Sequence, residues 1–108
     1  MIGGFISGNG VVTVLVRALG PTLTAFGVPN VLADPTLDVR DAQGNSLATN
    51  DDWADTQQAE IQATNLQPPN AKESAIIIVR PPANTTAIVG GKNASTVNAL
   101  VEAYILSP

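Results

Sequence analysis

The chain has 108 residues, of which 44% are hydrophobic, only 13% charged and 4% aromatic, with a net charge of −4 and neither histidine nor cysteine. That length suits one domain with a single aliphatic core, and the charge content is about half the usual share for a soluble domain. The composition excludes a disulfide framework and the Ser-His-Asp and Cys-His schemes of nucleophilic catalysis, and the dispersed Arg17, Arg40, Lys72, Arg80 and Lys92 form no basic patch for nucleic acid or an anionic membrane.

Residues 1–7 lack a basic leader and are predicted as an apolar strand from the first residue, ended by the hairpin signal Gly8-Asn9-Gly10. A chain that begins and ends in strands is expected to be a processed piece of something longer. Residues 11–18 form a β-branched run, with Val12, Val14 and Val16 on one face and Val11, Thr13, Leu15 and Arg17 on the other. Gly20-Pro21 breaks it, and residues 21–26 are predicted as one helical turn stopped by Gly27. Residues 36–41 alternate as a half-buried strand with Leu37 and Val39 inward; residues 41–45 are a hairpin loop and 46–49 the return. Asp55 and Gln58 have capping-box spacing, which predicts a short helix over residues 55–65. Residues 74–80 carry Ile76-Ile77-Ile78-Val79, a strand expected to be buried on both faces. Residues 85–90 return from a Pro-rich turn, 91–96 form a polar loop, and 97–106 are the longest predicted strand. About seven strands with short turns predict an all-β domain over residues 1–108, a β-sandwich of jelly-roll-like kind. No apolar run approaches the ~18 residues of a transmembrane helix.

Several segments together resemble a known kind of module. They are Ile2-Gly3-Gly4-Phe5-Ile6, Val14-Leu15-Val16-Arg17-Ala18-Leu19-Gly20-Pro21, Leu32-Ala33-Asp34-Pro35-Thr36-Leu37, Asn50-Asp51-Asp52-Trp53 and Ala99-Leu100-Val101-Glu102-Ala103-Tyr104. In that order they resemble a poorly characterised β-sandwich module of large secreted and cell-surface proteins of environmental bacteria. The stretch from Asp34 to Trp53 is also distantly similar to bacterial pre-peptidase carboxyl-terminal domains. Both resemblances imply a secreted, non-catalytic module.

Asn50, Asp51, Asp52 and Asp55 are the metal candidates, because Ca²⁺ takes six to eight oxygens and this loop offers several. The alternative is a helix start, where carboxylates favour the positive end of the dipole. Adjacent Asp51 and Asp52 on an extended segment are expected to point to opposite sides. Trp53 is either a glycan-stacking ring or an anchor closing one end of the core. Arg17 calls for an acidic partner, with Asp34, Asp51 and Asp52 available, or for a head that reaches water. Asn84 and Asn93 begin Asn-x-Ser/Thr sequons in predicted turns, and Thr85, Thr86 and Ser95 are hydroxyls open to O-linked sugar.

These features support a structural subunit or module of an extracellular or cell-surface assembly, a filament or surface layer. Neighbouring copies would join by edge-strand pairing, with Ile2, Phe5 and Ile6 on the strand that crosses. The alternative is an accessory domain holding glycan or calcium near Asp51 to Trp53.

Overall fold

β-branched runs become strands throughout the described residues, which are 2–6, 10–91 and 98–107 of the computed structural model. Among them are β1 (Ile2–Ile6), β2 (Val12–Leu19), β3 (Pro35–Arg40), β4 (Ser46–Asn50), β5 (Ser74–Arg80), β6 (Asn84–Gly91) and β7 (Leu100–Ser107). They form two antiparallel sheets, a four-stranded one ordered β1-β6-β3-β4 and a three-stranded one ordered β5-β2-β7. The all-β sandwich expected from the turn spacing is the observed architecture. No helix among the described residues is long and apolar enough to cross a membrane.

The core lies between the sheets. Val14, Val16 and Ala18 of β2 meet Leu37 and Val39 of β3 and Val89 of β6, all but closed to water. Each such side chain fully buried is worth roughly 1.5–3 kcal/mol. The opposite face of β2 is covered as well. Leu15 packs there with Ala75 of β5, under Trp53 and Ile61 from a short helical layer. Burial on both faces is why β2 reads as an unbroken apolar run rather than an alternating one.

The helical layer differs from the single helix predicted over residues 55–65. It is a 3₁₀ turn, Trp53–Asp55, followed by α1 (Gln58–Ala63). Thr56, at φ −120° and ψ −57°, ends the first piece, and the residue entering α1 is Gln57, with no side-chain capping bond. Gln57 is engaged elsewhere, on the main chain of Ile77. Tertiary hydrogen bonding therefore overrides the capping-box spacing. The turn at Pro21–Phe26 forms as predicted, in 3₁₀ geometry, and Gly27 closes it at φ 81°, a left-handed conformation that suits glycine.

Two further expectations change. β5 is buried through Ile76, but Val79 is 60% exposed, because the helical layer does not reach the strand's far end. Arg17 finds none of the aspartates. Its guanidinium donates to Glu102 Oε1 at 2.8 and 3.0 Å, to Tyr104 Oη at 3.0 Å and to the Leu66 carbonyl at 3.1 Å. The antiparallel register sets Arg17 opposite Glu102 on the outer face, which decides the partner.

The strand predicted to cross between subunits is seated in its own chain, with Ile2 opposite Ile88 and Ile6 opposite Asn84. β1 lies over β7: a Cβ on Gly3 would come within 2.8 Å of Val101 Cγ1, so a side chain there would displace Val101. At the other side of the sandwich β4 lies over β5, joined by a bond from the Ala75 N–H to Asn50 Oδ1.

Candidate functional site

The acidic segment sits at one end of the β3–β4 hairpin. Leu37 faces Asn50 in that ladder, so the residues before β3 and after β4 approach one another. Asp34, Asp51 and Asp52 each bring a carboxylate oxygen within 4.8 Å of the others. Asp51 and Asp52 do not diverge as an extended segment would make them. The chain bends at both residues on leaving β4, and the bend turns both carboxylates toward Asp34. Asp52 Oδ1 is buried with no hydrogen-bond donor among the described residues. Three converging oxygens are half of what a hard cation such as Ca²⁺ takes, leaving the rest to water or carbonyls.

Asn50 and Asp55 are not part of that cluster. Asn50 is buried; its Nδ2 donates to the Asp52 carbonyl at 3.1 Å and its Oδ1 accepts from the Ala75 N–H at 3.1 Å. Its amide is a bracket between the sheets rather than a ligand. Asp55 is exposed and borders an open groove of about 420 Å³ with Thr36, Asp38, Thr49, Asp51 and Thr56. Hydroxyls and carboxylates in such a groove suit sugar hydroxyls.

Trp53 does not serve as a stacking platform there. It is 9% exposed and packed over Leu15 and Ile61, so no ring face meets solvent. Phe26, 79% exposed on the 3₁₀ turn, presents an open aromatic ring, and nothing in the sequence pattern distinguished it. Asn84 is exposed, but it opens β6 instead of lying in a turn. Thr85 is closed to sugar: it is 1% exposed and its Oγ1 accepts from Arg80 Nε at 2.9 Å. Thr86 is half-buried on the ladder, opposite Gly4. Asn93 and Ser95 lie outside the described residues.

Sequence reading missed Glu73. This fully buried carboxylate accepts from the Gly20, Thr22 and Asn70 N–H groups and from the Thr22 hydroxyl, at 2.6–3.0 Å. It ties the start of the 3₁₀ turn Pro21–Phe26 to the entry of β5. The lone signal was an acid directly before an apolar strand, which reads as an ordinary solvated strand end.

The third feature is the β1/β7 side of the sandwich. Gly3, Val16, Ala87, Val101 and Ala103 line a cleft of about 100 Å³ there, with the buried Val16 and Ala87 at its floor. Ile105 is 59% and Leu100 41% exposed on β7. The one charge on this strand, Glu102, is held by Arg17.

No protein-family model, curated protein or solved structure matches the chain.

Proposed function

We propose that the chain is a non-catalytic structural subunit or module of an extracellular bacterial assembly, a filament or surface layer, joined to neighbouring copies by strand edges. The observation that carries this reading is the open β1/β7 side. Each sheet ends there in a strand whose outer edge meets no other strand among the described residues. An apolar edge without Pro or an uncompensated charge is a template for pairing with another chain. β7 spans eight residues, and its Glu102 is neutralised, so a like-charged copy of net charge −4 meets little repulsion at this edge. The absence of His and Cys supports a role without covalent chemistry. The resemblance to secreted surface modules supports the extracellular placement. Sedimentation and negative-stain microscopy of the purified chain test this reading, with oligomers or fibres expected. Deleting residues 1–7 separates the two edges: loss of assembly supports β1 as the crossing strand, and survival moves the contact to β7.

A second reading is a calcium- or glycan-binding accessory domain. The convergence of Asp34, Asp51 and Asp52 beside a polar groove favours it. Ca²⁺ should then raise the melting temperature of the wild type and not of Asp52→Asn. Identical melting curves with Ca²⁺ and with chelator would remove the metal from this reading.

A further inference from the structure

We infer that two copies join through β7 itself, in a two-fold antiparallel ladder centred on Ala103. The inference rests on the self-association proposed above and specifies one of its contacts, since a two-fold pairing alone closes as a dimer.

The direction of the main-chain groups follows from β5. Its Ala75 N–H donates to Asn50 Oδ1, its Ile77 N–H donates to Gln57 Oε1 at 2.8 Å, and the Ile77 carbonyl accepts from Gln57 Nε2 at 3.0 Å. Residues 75 and 77 therefore turn their main-chain groups away from β2. Antiparallel ladders alternate, so Ser74, Ile76 and Ile78 face β2 at Ala18, Val16 and Val14. The groups of Leu15, Arg17 and Leu19 are then directed to β7, at Tyr104, Glu102 and Leu100. Val101, Ala103 and Ile105 are left with their N–H and C=O groups directed outward, where no described strand meets them.

Self-complementarity chooses the register. Centred on Ala103, the ladder sets Ala103 against the partner's Ala103 and Val101 against the partner's Ile105. All three outward-directed residues then exchange main-chain bonds. On the other face, Glu102 lies opposite the partner's Tyr104, and Leu100 opposite the partner's Leu106. Moving the centre to Glu102 would oppose two carboxylates directly, which is destabilising. Moving it to Tyr104 would set Val101 against the partner's Ser107, which lies past the register shift and pairs with Thr13 of β2 instead of facing outward. In the chosen register the two Glu102 residues are diagonal neighbours, each held by its own Arg17. Ile105, 59% exposed in the single chain, gains an apolar neighbour.

The opposite edge of the same sheet is closed to this chemistry. Asn50 and Gln57 occupy the outward groups of Ala75 and Ile77 with side-chain amides, as a neighbouring strand would. Pairing of the three-stranded sheet is thereby directed to β7.

The chain contains no cysteine, so single-cysteine variants report register without background. Ala103→Cys should cross-link into disulfide dimers under mild oxidation, since facing residues of such a pair have Cα atoms about 5.5 Å apart. Val101→Cys mixed with Ile105→Cys should cross-link as a heterodimer, while Thr49→Cys on exposed β4 should not cross-link. Ile105→Lys should weaken dimerisation about tenfold or more by placing a charge on the edge. Wild-type protein that sediments as a monomer at every concentration would overturn both this ladder and the self-association it rests on. Association unaffected by Ile105→Lys, or Ala103→Cys cross-linking no better than Thr49→Cys, would overturn the ladder alone.

Discussion

Glu73 shows how much one residue can organise in a chain with few charges. Its two oxygens take four hydrogen bonds, from Gly20, Thr22 twice and Asn70, with none of its surface left to water. Glu73→Gln keeps the shape but replaces one oxygen with an NH₂ group. With that group at the Oε1 position, the Thr22 hydroxyl can rotate to accept from it; the Asn70 N–H cannot. One buried donor left unmet costs about 1–3 kcal/mol. Glu73→Ala strands all four donors beside a cavity and should cost more, on the order of 4 kcal/mol. Urea unfolding at unchanged m-value measures both. A smaller loss for Ala than for Gln would mean that the donors find other acceptors.

Two other carboxylates at this scale carry a pH dependence. Asp38 lies below its usual value of 3.8, first through the Ser46 hydroxyl and then through Arg40. Asp41 is also lowered from 3.8, first through the Asn45 N–H and also through Gln43. A carboxylate depressed in the folded state stabilises it above the unfolded value, and that contribution is lost as pH falls through the folded value. Both residues serve the β3–β4 hairpin. Acidification below about pH 3.8 should therefore loosen this hairpin, and Asp38→Asn should flatten the acid limb of the stability curve. Stability followed against pH for both proteins checks it; identical acid limbs would contradict the assignment.

At the scale of elements, edge protection decides which strands stay solitary. β5 has no neighbouring strand on one side among the described residues, yet Asn50 and Gln57 bond to its main chain there. Gln57→Ala removes the Ile77 partners and should expose an apolar edge beside Val79, itself 60% exposed. The expected result is modest destabilisation, about 1–2 kcal/mol, with a marked rise in aggregation on heating. Light scattering during a thermal ramp, compared with the exposed control Gln58→Ala, separates edge exposure from loss of an amide. Scattering that rises equally in both variants would argue against edge protection by Gln57.

The elements also show how far the sequence could be read. β-branched runs and Gly/Pro turns placed each of the described strands, with the start of β7 at Leu100 instead of residue 97, because those signals are local. The faces of β2 and β3 followed from alternation. The β3–β4 hairpin was legible from its loop, but the hairpin expected between residues 1–7 and 11–18 is not formed, since β1 pairs with β6 and β2 with β5 and β7. Registers such as Arg17 opposite Glu102 join residues far apart in the chain. The acidic cluster illustrates the same limit. Asp51 and Asp52 were visible as a pair, but adding Asp34 required the β3–β4 register and the bend after Asn50. Trp53 could be read either way until the helical layer placed it over Leu15.

For the whole molecule, the distribution of charge predicts how association responds to salt. The five basic and nine acidic residues give a net charge of −4, which opposes any contact between copies. The proposed β7 ladder contains one ionised residue per copy, Glu102, already bonded to Arg17. Main-chain bonds and apolar contacts such as Ile105 with the partner's Val101 would supply the attraction, and salt screens neither. Raising ionic strength from about 0.01 to 1 M shortens the screening length from roughly 30 to 3 Å, which weakens only the repulsion between net charges. Dimerisation should therefore hold or strengthen across that range, by roughly severalfold at most, and should strengthen further in sulfate, which favours apolar burial. Sedimentation equilibrium in sodium chloride and in sodium sulfate measures the trend. Dissociation on adding salt would place the contact on charged groups, away from β7.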